Sequence, residues 1–214
     1  MATRLLLIRH GQSEANYIEV FTGQGNFALT ELGRKQAELT GKFLQNEPID
    51  AFYASDLSRA YETAEAAARF HGMTVVKEPG MREIFAGEWE SKRFSDLSSL
   101  YPAEYGLWME NIGLARPTGG ESVAELQDRV RTTLEKIVAA HPGQTVCIGT
   151  HATPIRVMMC CWMHKSLSEM KNIPWVPNAS VTSVIYEPDL TFHDLHAGIA
   201  DHLGELRTAL PTNV

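Results

Sequence analysis

Leu5-Leu6-Leu7-Ile8 runs directly into Arg9-His10-Gly11, and Val146-Cys147-Ile148-Gly149 runs into Thr150-His151. A short apolar run without alternation is what a strand covered on both faces requires. Both histidines should therefore stand at the carboxyl ends of buried strands, the edge at which open α/β sheets bind ligands. An imidazole beside a guanidinium suits an anion, and phosphate is the obvious candidate. Taken alone, Arg9-His10 equally describes a histidine that closes a strand end and bonds the backbone. Two strand-end histidines at one sheet edge weaken that reading. Arg59 adds to the case, because it falls in the first turn of a helix that also follows a strand. Helix N-termini offer free N–H groups and positive potential to anions, and a guanidinium adds forked donors matched to phosphate oxygens. As a single residue, Arg59 would also serve as a surface cation.

The elements that must position these groups follow from pattern. After the first strand, Gly11 allows a sharp turn, since glycine carries no Cβ penalty in unusual backbone regions. Thr30 is a plausible N-cap for a helix over 31–45, with Leu32, Gln36, Leu39 and Phe43 at helical spacing. A short strand over 49–54 leads to a helix that Ser55 or Asp56 would cap. That helix presents a face of Leu57, Ala60, Ala64 and Ala67 or Ala68, small enough to pack close to a sheet. Gly72 stops it, and 73–77 reads as another strand. The order so far is βαβαβ, which implies a mostly parallel sheet with helices on both faces. Pro79-Gly80 breaks the pattern, and 81–120 is irregular, with helices expected over 94–100 and 103–112. A segment this long is poorly explained as a bare loop, so we expect a mostly helical insertion, 81–120, covering the site within a single domain of residues 1–214. A helix over 121–140, a strand over 145–149, a helix over 152–163 with Pro154 in its first turn, and a final hairpin of 180–186 and 191–195 complete the chain.

Composition narrows the partners. The chain has 214 residues, 44% hydrophobic and 21% charged, with formal net charge −7. Such a balance argues against nucleic acid or an anionic membrane surface, both of which need a basic face. An anionic substrate must then be held by a local cationic pocket. Cys147, Cys160 and Cys161 are poor material for a disulfide framework and read as small buried apolar residues in a reducing, cytoplasmic compartment. No secretory or membrane-spanning run is visible. His193 and His196 would face opposite sides of a strand, which disfavours a shared metal ion. Trp108, Trp162 and Trp175 are expected to pack in the core, while Trp89 suits either core or substrate.

One set of motifs runs in order along the chain: Arg9-His10-Gly11-x-Ser13-x-x-Asn16; Leu29-Thr30-x-x-Gly33-x-x-Gln36-Ala37; Ser55-Asp56-Leu57-x-Arg59-Ala60-x-x-Thr63-Ala64; Arg82-Glu83-Ile84 with Gly87-x-Trp89-Glu90; Gly119-Gly120-Glu121-Ser122; and Gly149-Thr150-His151. This pattern resembles the histidine phosphatase superfamily, which includes cofactor-dependent phosphoglycerate mutases, and the resemblance spans nearly the whole chain. It implies a three-layer α/β/α sandwich, in agreement with the βαβ reading. It implies that His10 is the nucleophile that takes the phosphoryl group and that Arg9, Arg59 and His151 form its phosphate pocket. Glu83 would be the proton donor, and Asn16, Ser13 and Gln24 would make further contacts to phosphate oxygens. On their own positions, Ser13 equally suits a helix cap after Gly11, and Glu83 an ion pair.

The implied chemistry is coherent. Neutral imidazole attacks phosphorus and imidazolium does not; Arg9 and Arg59 should disfavour the protonated form of His10. The same arginines neutralise phosphate charge and align it. Glu83 must be protonated to serve the leaving alkoxide, and an adjacent phosphate dianion raises its pKa toward that state. The expectation is a phosphomonoester hydrolase that needs no metal or other cofactor and acts on a small phosphorylated substrate. The alternatives are a phosphoglycerate mutase, which needs a bisphosphorylated activator and a second basic subsite, and a non-catalytic phospholigand module. The modest insertion, whose cations after Glu83 are Lys92, Arg93 and Arg116, and the uncharged tail after Arg207 favour hydrolysis. Ser91 departs from the family's usual glycine after Trp-Glu, which leaves the shape of that wall open. Oligomeric state is not legible.

Overall fold

The computed structural model describes residues 1–209. Residues 210–214, the end of the uncharged tail, lie outside the described residues.

The sheet forms around β1 (Thr3–Arg9), whose seven residues are almost all buried. It is flanked by β4 (Thr145–Thr150) in parallel and β5 (Val181–Tyr186) in antiparallel register, with Ile8 opposite Gly149 and Val181. β2 (Ala51–Ala54) and β3 (Val75–Lys77) extend the parallel side, and β6 (Phe192–Ile199) closes the other. The order is β3-β2-β4-β1-β5-β6. The parallel sheet is as expected, and the final hairpin is antiparallel. β6 runs farther than the sequence suggested.

Alternation along β1 divides the core in two. Leu5 and Leu7 join Val146, Ile148 and Val184 in a large cluster under α6 (Val123–Ala140) and α7 (Ala152–Trp162). Leu6 and Ile8 join Phe52, Cys147 and Val181 on the opposite face. There Leu44 of α2 (Glu31–Leu44) and Ala67 and Ala68 of α3 (Ser58–Ala68) cover them. Burial on both faces explains why these strands read as unbroken apolar runs. The result is the three-layer α/β/α sandwich.

Local chemistry fixes the helix starts. Thr30 caps α2 through the Gly33 N–H, and Ser122 and Glu125 form a reciprocal capping box on α6. α3 departs from expectation: Leu57 occupies its N-cap with no side-chain bond, and Ser55 instead accepts from the Leu57 N–H. A Cβ on Gly149 would lie 2.7 Å from the Ala60 carbonyl oxygen, so the small-residue face of α3 does sit directly on β4. Gly11 is needed for a different reason than a turn. Its φ is not in the left-handed region, and a Cβ there would collide with the Gly33 carbonyl. Among the cysteines, Cys147 and Cys160 are buried as expected, whereas Cys161 is only partly covered.

Within 81–120 the chain forms α4 (Phe94–Leu100) and α5 (Pro102–Asn111), with one short 3-10 turn before them and another after. Trp89, Leu97, Tyr105, Trp108 and Ile112 anchor it in the large core cluster. Trp89 is therefore core. Ser91 keeps φ at +63°, a left-handed conformation that favours glycine. The backbone has retained the shape for which glycine suits this position, with serine in its place.

Candidate active site

The carboxyl edges of β1 and β4 bring the two histidines together. Their ring centroids are 5.2 Å apart, edge to face. The His10 N–H donates to the Thr150 carbonyl, and the His10 carbonyl accepts from Ala179 N–H and the Asn178 side-chain amide. The ring is fixed too, with Nδ1 lying 2.7 Å from the Gly11 carbonyl oxygen. A carbonyl can only accept, so the neutral ring carries its proton on Nδ1 and leaves the Nε2 lone pair available. Burial, then Arg59 and Arg9, hold the His10 pKa well below its ordinary 6.5. His151 stands at the N-cap of α7 and is fully buried, and the same causes depress its pKa. Its Nε2 pairs with Ser55 Oγ at 2.9 Å, while Nδ1 is buried with no partner among the described residues.

The arginines converge as expected and are tied to main chain. Arg9 Nη1 donates to the Val176 carbonyl at 2.5 Å; Arg59 donates to the carbonyls of Gly25 at 2.7 Å and Gly23 at 2.9 Å. Burial lowers each guanidinium to about 10, opposed by nearby Glu83, so both stay cationic at neutral pH. Their Nε groups have no partner among the described residues.

Glu83 is held across the cavity. Its Oε1 accepts the Ile84 N–H at 2.8 Å and its Oε2 the Thr153 N–H at 3.3 Å. Burial raises its pKa above 4.5, outweighing those hydrogen bonds and the pull of Arg59. The main chain around it is clamped by Arg129 of α6, which donates to the carbonyls of Gly80, Arg82 and Glu83. Arg129 also grips Glu121 through two bonds of 2.8 and 2.7 Å. Next to it, Arg82 makes a paired contact with Asp56.

The further expected contacts separate. Asn16 lines the cavity, its Oδ1 accepting from Ser13 N–H and Asn178. Ser13 is fully buried and caps α1 (Glu14–Tyr17) in a capping box with Asn16. Gln24 bonds the Glu83 carbonyl and Arg82. Neither Ser13 nor Gln24 is among the cavity-lining residues. Arg9, His10, Arg59 and Glu83 do line it, in a cavity of about 540 Å³.

Several residues here were missed from sequence. Ser55 could have been found, because β2 ends at the same sheet edge as β1 and β4. Asn178 and Trp175 precede β5, and an antiparallel strand begins where its neighbour ends; only the pairing reveals that. Trp108 is core as expected and also lines the cavity, and Trp175 is only partly buried and forms cavity wall, whereas Trp162 is core and donates to the Tyr186 hydroxyl. His193 pairs with Glu187 and His196 with Asp194. No group of three or more potential metal-ligating His, Cys, Asp or Glu occurs among the described residues. Nor does any helix there have the length and apolarity to cross a membrane.

Comparison with known proteins gives one answer. The pattern of the histidine phosphatase superfamily (branch 1) matches residues 5–196. Phosphoserine phosphatase 1 of Hydrogenobacter thermophilus is 34% identical over 202 residues, covering 94% of this chain and 95% of that protein. The solved structure of Bacillus stearothermophilus YhfR superposes with a TM-score of 0.89 at 30% identity, covering 94% of this chain and 99% of that one. A mycobacterial glucosyl-3-phosphoglycerate phosphatase complexed with VO3 superposes with a TM-score of 0.83 at 27% identity, over 92% and 98% of the two chains. The chain belongs to the histidine phosphatase superfamily, branch 1, and is an enzyme of the phosphatase class.

Proposed function

We propose that the enzyme hydrolyses phosphomonoesters through a phosphohistidine on His10, with Glu83 as proton donor and no metal requirement. The observation that carries the reading is the His10 Nδ1 contact to the Gly11 carbonyl. It leaves Nε2 as a fixed, neutral nucleophile beside two cationic guanidiniums. Arg9 and Arg59 hold the phosphoryl group in line and take up charge on its equatorial oxygens. In this reading the Ser55 hydroxyl, whose oxygen accepts from Leu57 N–H, gives its proton to His151 Nε2. That pairing puts the His151 proton on Nδ1, as a further donor to phosphate.

In the first step the Nε2–P bond forms as the ester O–P bond breaks, and the departing alkoxide takes the Glu83 proton. The bound phosphate offsets the pull of Arg59 on Glu83, which keeps the carboxyl protonated until it is needed. In the second step the Glu83 carboxylate takes a proton from water, the water oxygen bonds phosphorus, and the N–P bond breaks. Inorganic phosphate leaves with His10 and Glu83 restored. The substrate is a small phosphorylated molecule, as the names of the phosphatase relatives suggest.

Hydrolysis is favoured over mutase chemistry because the cations lining the cavity are Arg9 and Arg59, which serve one phosphate. Enzyme incubated with a labelled phosphomonoester and quenched in alkaline detergent should carry acid-labile, alkali-stable phosphate, and His10→Ala should carry none. With 3-phosphoglycerate plus 2,3-bisphosphoglycerate, phosphate release should outpace isomerisation; the opposite order would overturn the hydrolase reading. Chelator should leave turnover unchanged.

A further inference from the structure

Beyond the phosphate seat the cavity changes character. Its lining includes the apolar side chains of Val20, Phe21, Ile84, Phe94, Trp108 and Trp175, beside the uncharged polar groups of Gln12, Thr22, Asn178 and Thr208. Both lining cations, Arg9 and Arg59, act on His10 itself. The other carboxylate on the wall besides Glu83 is Glu19, which is exposed. Lys92 and Arg93 do not line the cavity. A carboxylate or second phosphate on the leaving group would find no further lining cation among the described residues, and uncharged polar groups return only part of its desolvation cost.

Trp175 is a built part of this wall. Arg156 of α7 is 3% exposed, and its guanidinium lies over the Trp175 ring, 4.1 Å from the centroid. The same guanidinium donates to the carbonyls of Ile173 at 2.8 Å and Met170 at 3.0 Å, so it fixes the main chain leading to Trp175 as well as the indole. Arg156 has no carboxylate partner among the described residues, and its Nη1 is buried without a partner there. A buried guanidinium placed so is stabilised by its carbonyl bonds and by the ring face. What it produces is a rigid aromatic wall in a cavity sized for a small organic group.

We infer that the substrate is a phosphomonoester of an apolar, ring-bearing alcohol without a second anionic group, with Trp175 as the stacking wall and Arg156 as the residue that positions it. This rests on the phosphatase reading of His10. The test compares 2-phenylethyl phosphate, O-phosphoserine and 3-phosphoglycerate. All three are alkyl esters, and phenylethoxide is no better a leaving group than the other two, so a preference for it reports the wall. We expect kcat/KM about tenfold or more higher for 2-phenylethyl phosphate. Trp175→Ala should reduce the ratio of its kcat/KM to that of O-phosphoserine by about tenfold, chiefly through KM. Trp175→Phe should keep most of the ratio. Arg156→Lys should raise KM for the phenylethyl ester while kcat holds. Preference for O-phosphoserine or 3-phosphoglycerate, with His10 still phosphorylated, would overturn this inference alone, as would an unchanged ratio in Trp175→Ala. No phosphohistidine from any ester would overturn the underlying reading and this inference with it.

Discussion

Glu83→Gln separates proton donation from packing. The Glu83 carboxyl accepts two main-chain N–H bonds, a 2.8 Å bond from Ile84 and a 3.3 Å bond from Thr153. An amide of the same shape keeps its oxygen on the shorter bond and turns its NH2 toward Thr153. The stretched bond is lost, at a cost of about 1–2 kcal/mol. Against that, burial disfavours the ionised carboxyl, and the amide carries no such penalty. The net change in stability should stay within about 2 kcal/mol, and the variant should fold. The rate is another matter. Loss of a positioned general acid costs about 10²–10⁴-fold, equivalent to about 3–5 kcal/mol of barrier. The loss should depend on the leaving group. An alkoxide needs the whole proton, whereas 4-nitrophenolate leaves with little help. We expect kcat/KM for 2-phenylethyl phosphate to fall about 10²–10⁴-fold and that for 4-nitrophenyl phosphate by less than about tenfold. The second step also uses Glu83, so 4-nitrophenyl phosphate should give a stoichiometric burst of phenol as phosphoenzyme accumulates. The pH profile provides an independent check. For the alkyl ester, kcat/KM should rise with pH as His10 loses its proton, at a pKa well below 6.5, and fall as Glu83 ionises, above 4.5. The variant should lose the falling limb. Equal losses on the two esters, or no burst, would refute the assignment of Glu83 as donor.

Other perturbations follow from the same geometry. Because His10 and His151 are held neutral, the folded chain binds fewer protons than the unfolded chain below pH 6.5. Stability should therefore fall with pH there, by up to about 1.4 kcal/mol per unit for each histidine. Urea unfolding at pH 7.5 and 5.5 reads this, and His10→Ala should show a shallower slope. Arg129→Met removes the clamp on the Gly80, Arg82 and Glu83 carbonyls and leaves Glu121 without its partner. It should cost about 2–4 kcal/mol and lower kcat about tenfold or more with little change in KM; unchanged kcat would show that the clamp does not position Glu83. Ser91→Gly relieves the +63° φ at a small entropic cost. It should raise stability by about 0.5–1 kcal/mol and Tm by about 1–4 °C in thermal melts.

What the sequence revealed and what it hid divide along a physical line. Signals that are local in sequence were legible: unbroken apolar runs gave β1 and β4, Thr30 gave the start of α2, and the alanine face of α3 gave its close packing on the sheet. The sheet edge shared by His10 and His151 followed from those runs, because a buried strand's end is fixed by the strand itself. Pairwise geometry was not legible. Ser13 was open between cap and phosphate ligand, and it does cap α1, with the Asn16 side chain closing the box from the other side. Gln24 has an amide that could contact phosphate, yet its NH2 donates to the Glu83 carbonyl and its oxygen accepts from Arg82, away from the cavity lining. Gly11 was read as allowing a sharp turn, and its need comes instead from Gly33, whose carbonyl approaches from another element. Trp175 shows the same limit most sharply. An isolated tryptophan in an apolar stretch is core by default, and nothing near it in sequence says otherwise. Its role depends on β5 running antiparallel to β1, which delivers the preceding loop to the phosphate edge, and on Arg156 in a different helix. Catalytic groups tied to strand ends can therefore be read from one dimension. The lining residues Trp175 and Asn178 come from a segment that only the pairing of β5 with β1 brings to the cavity.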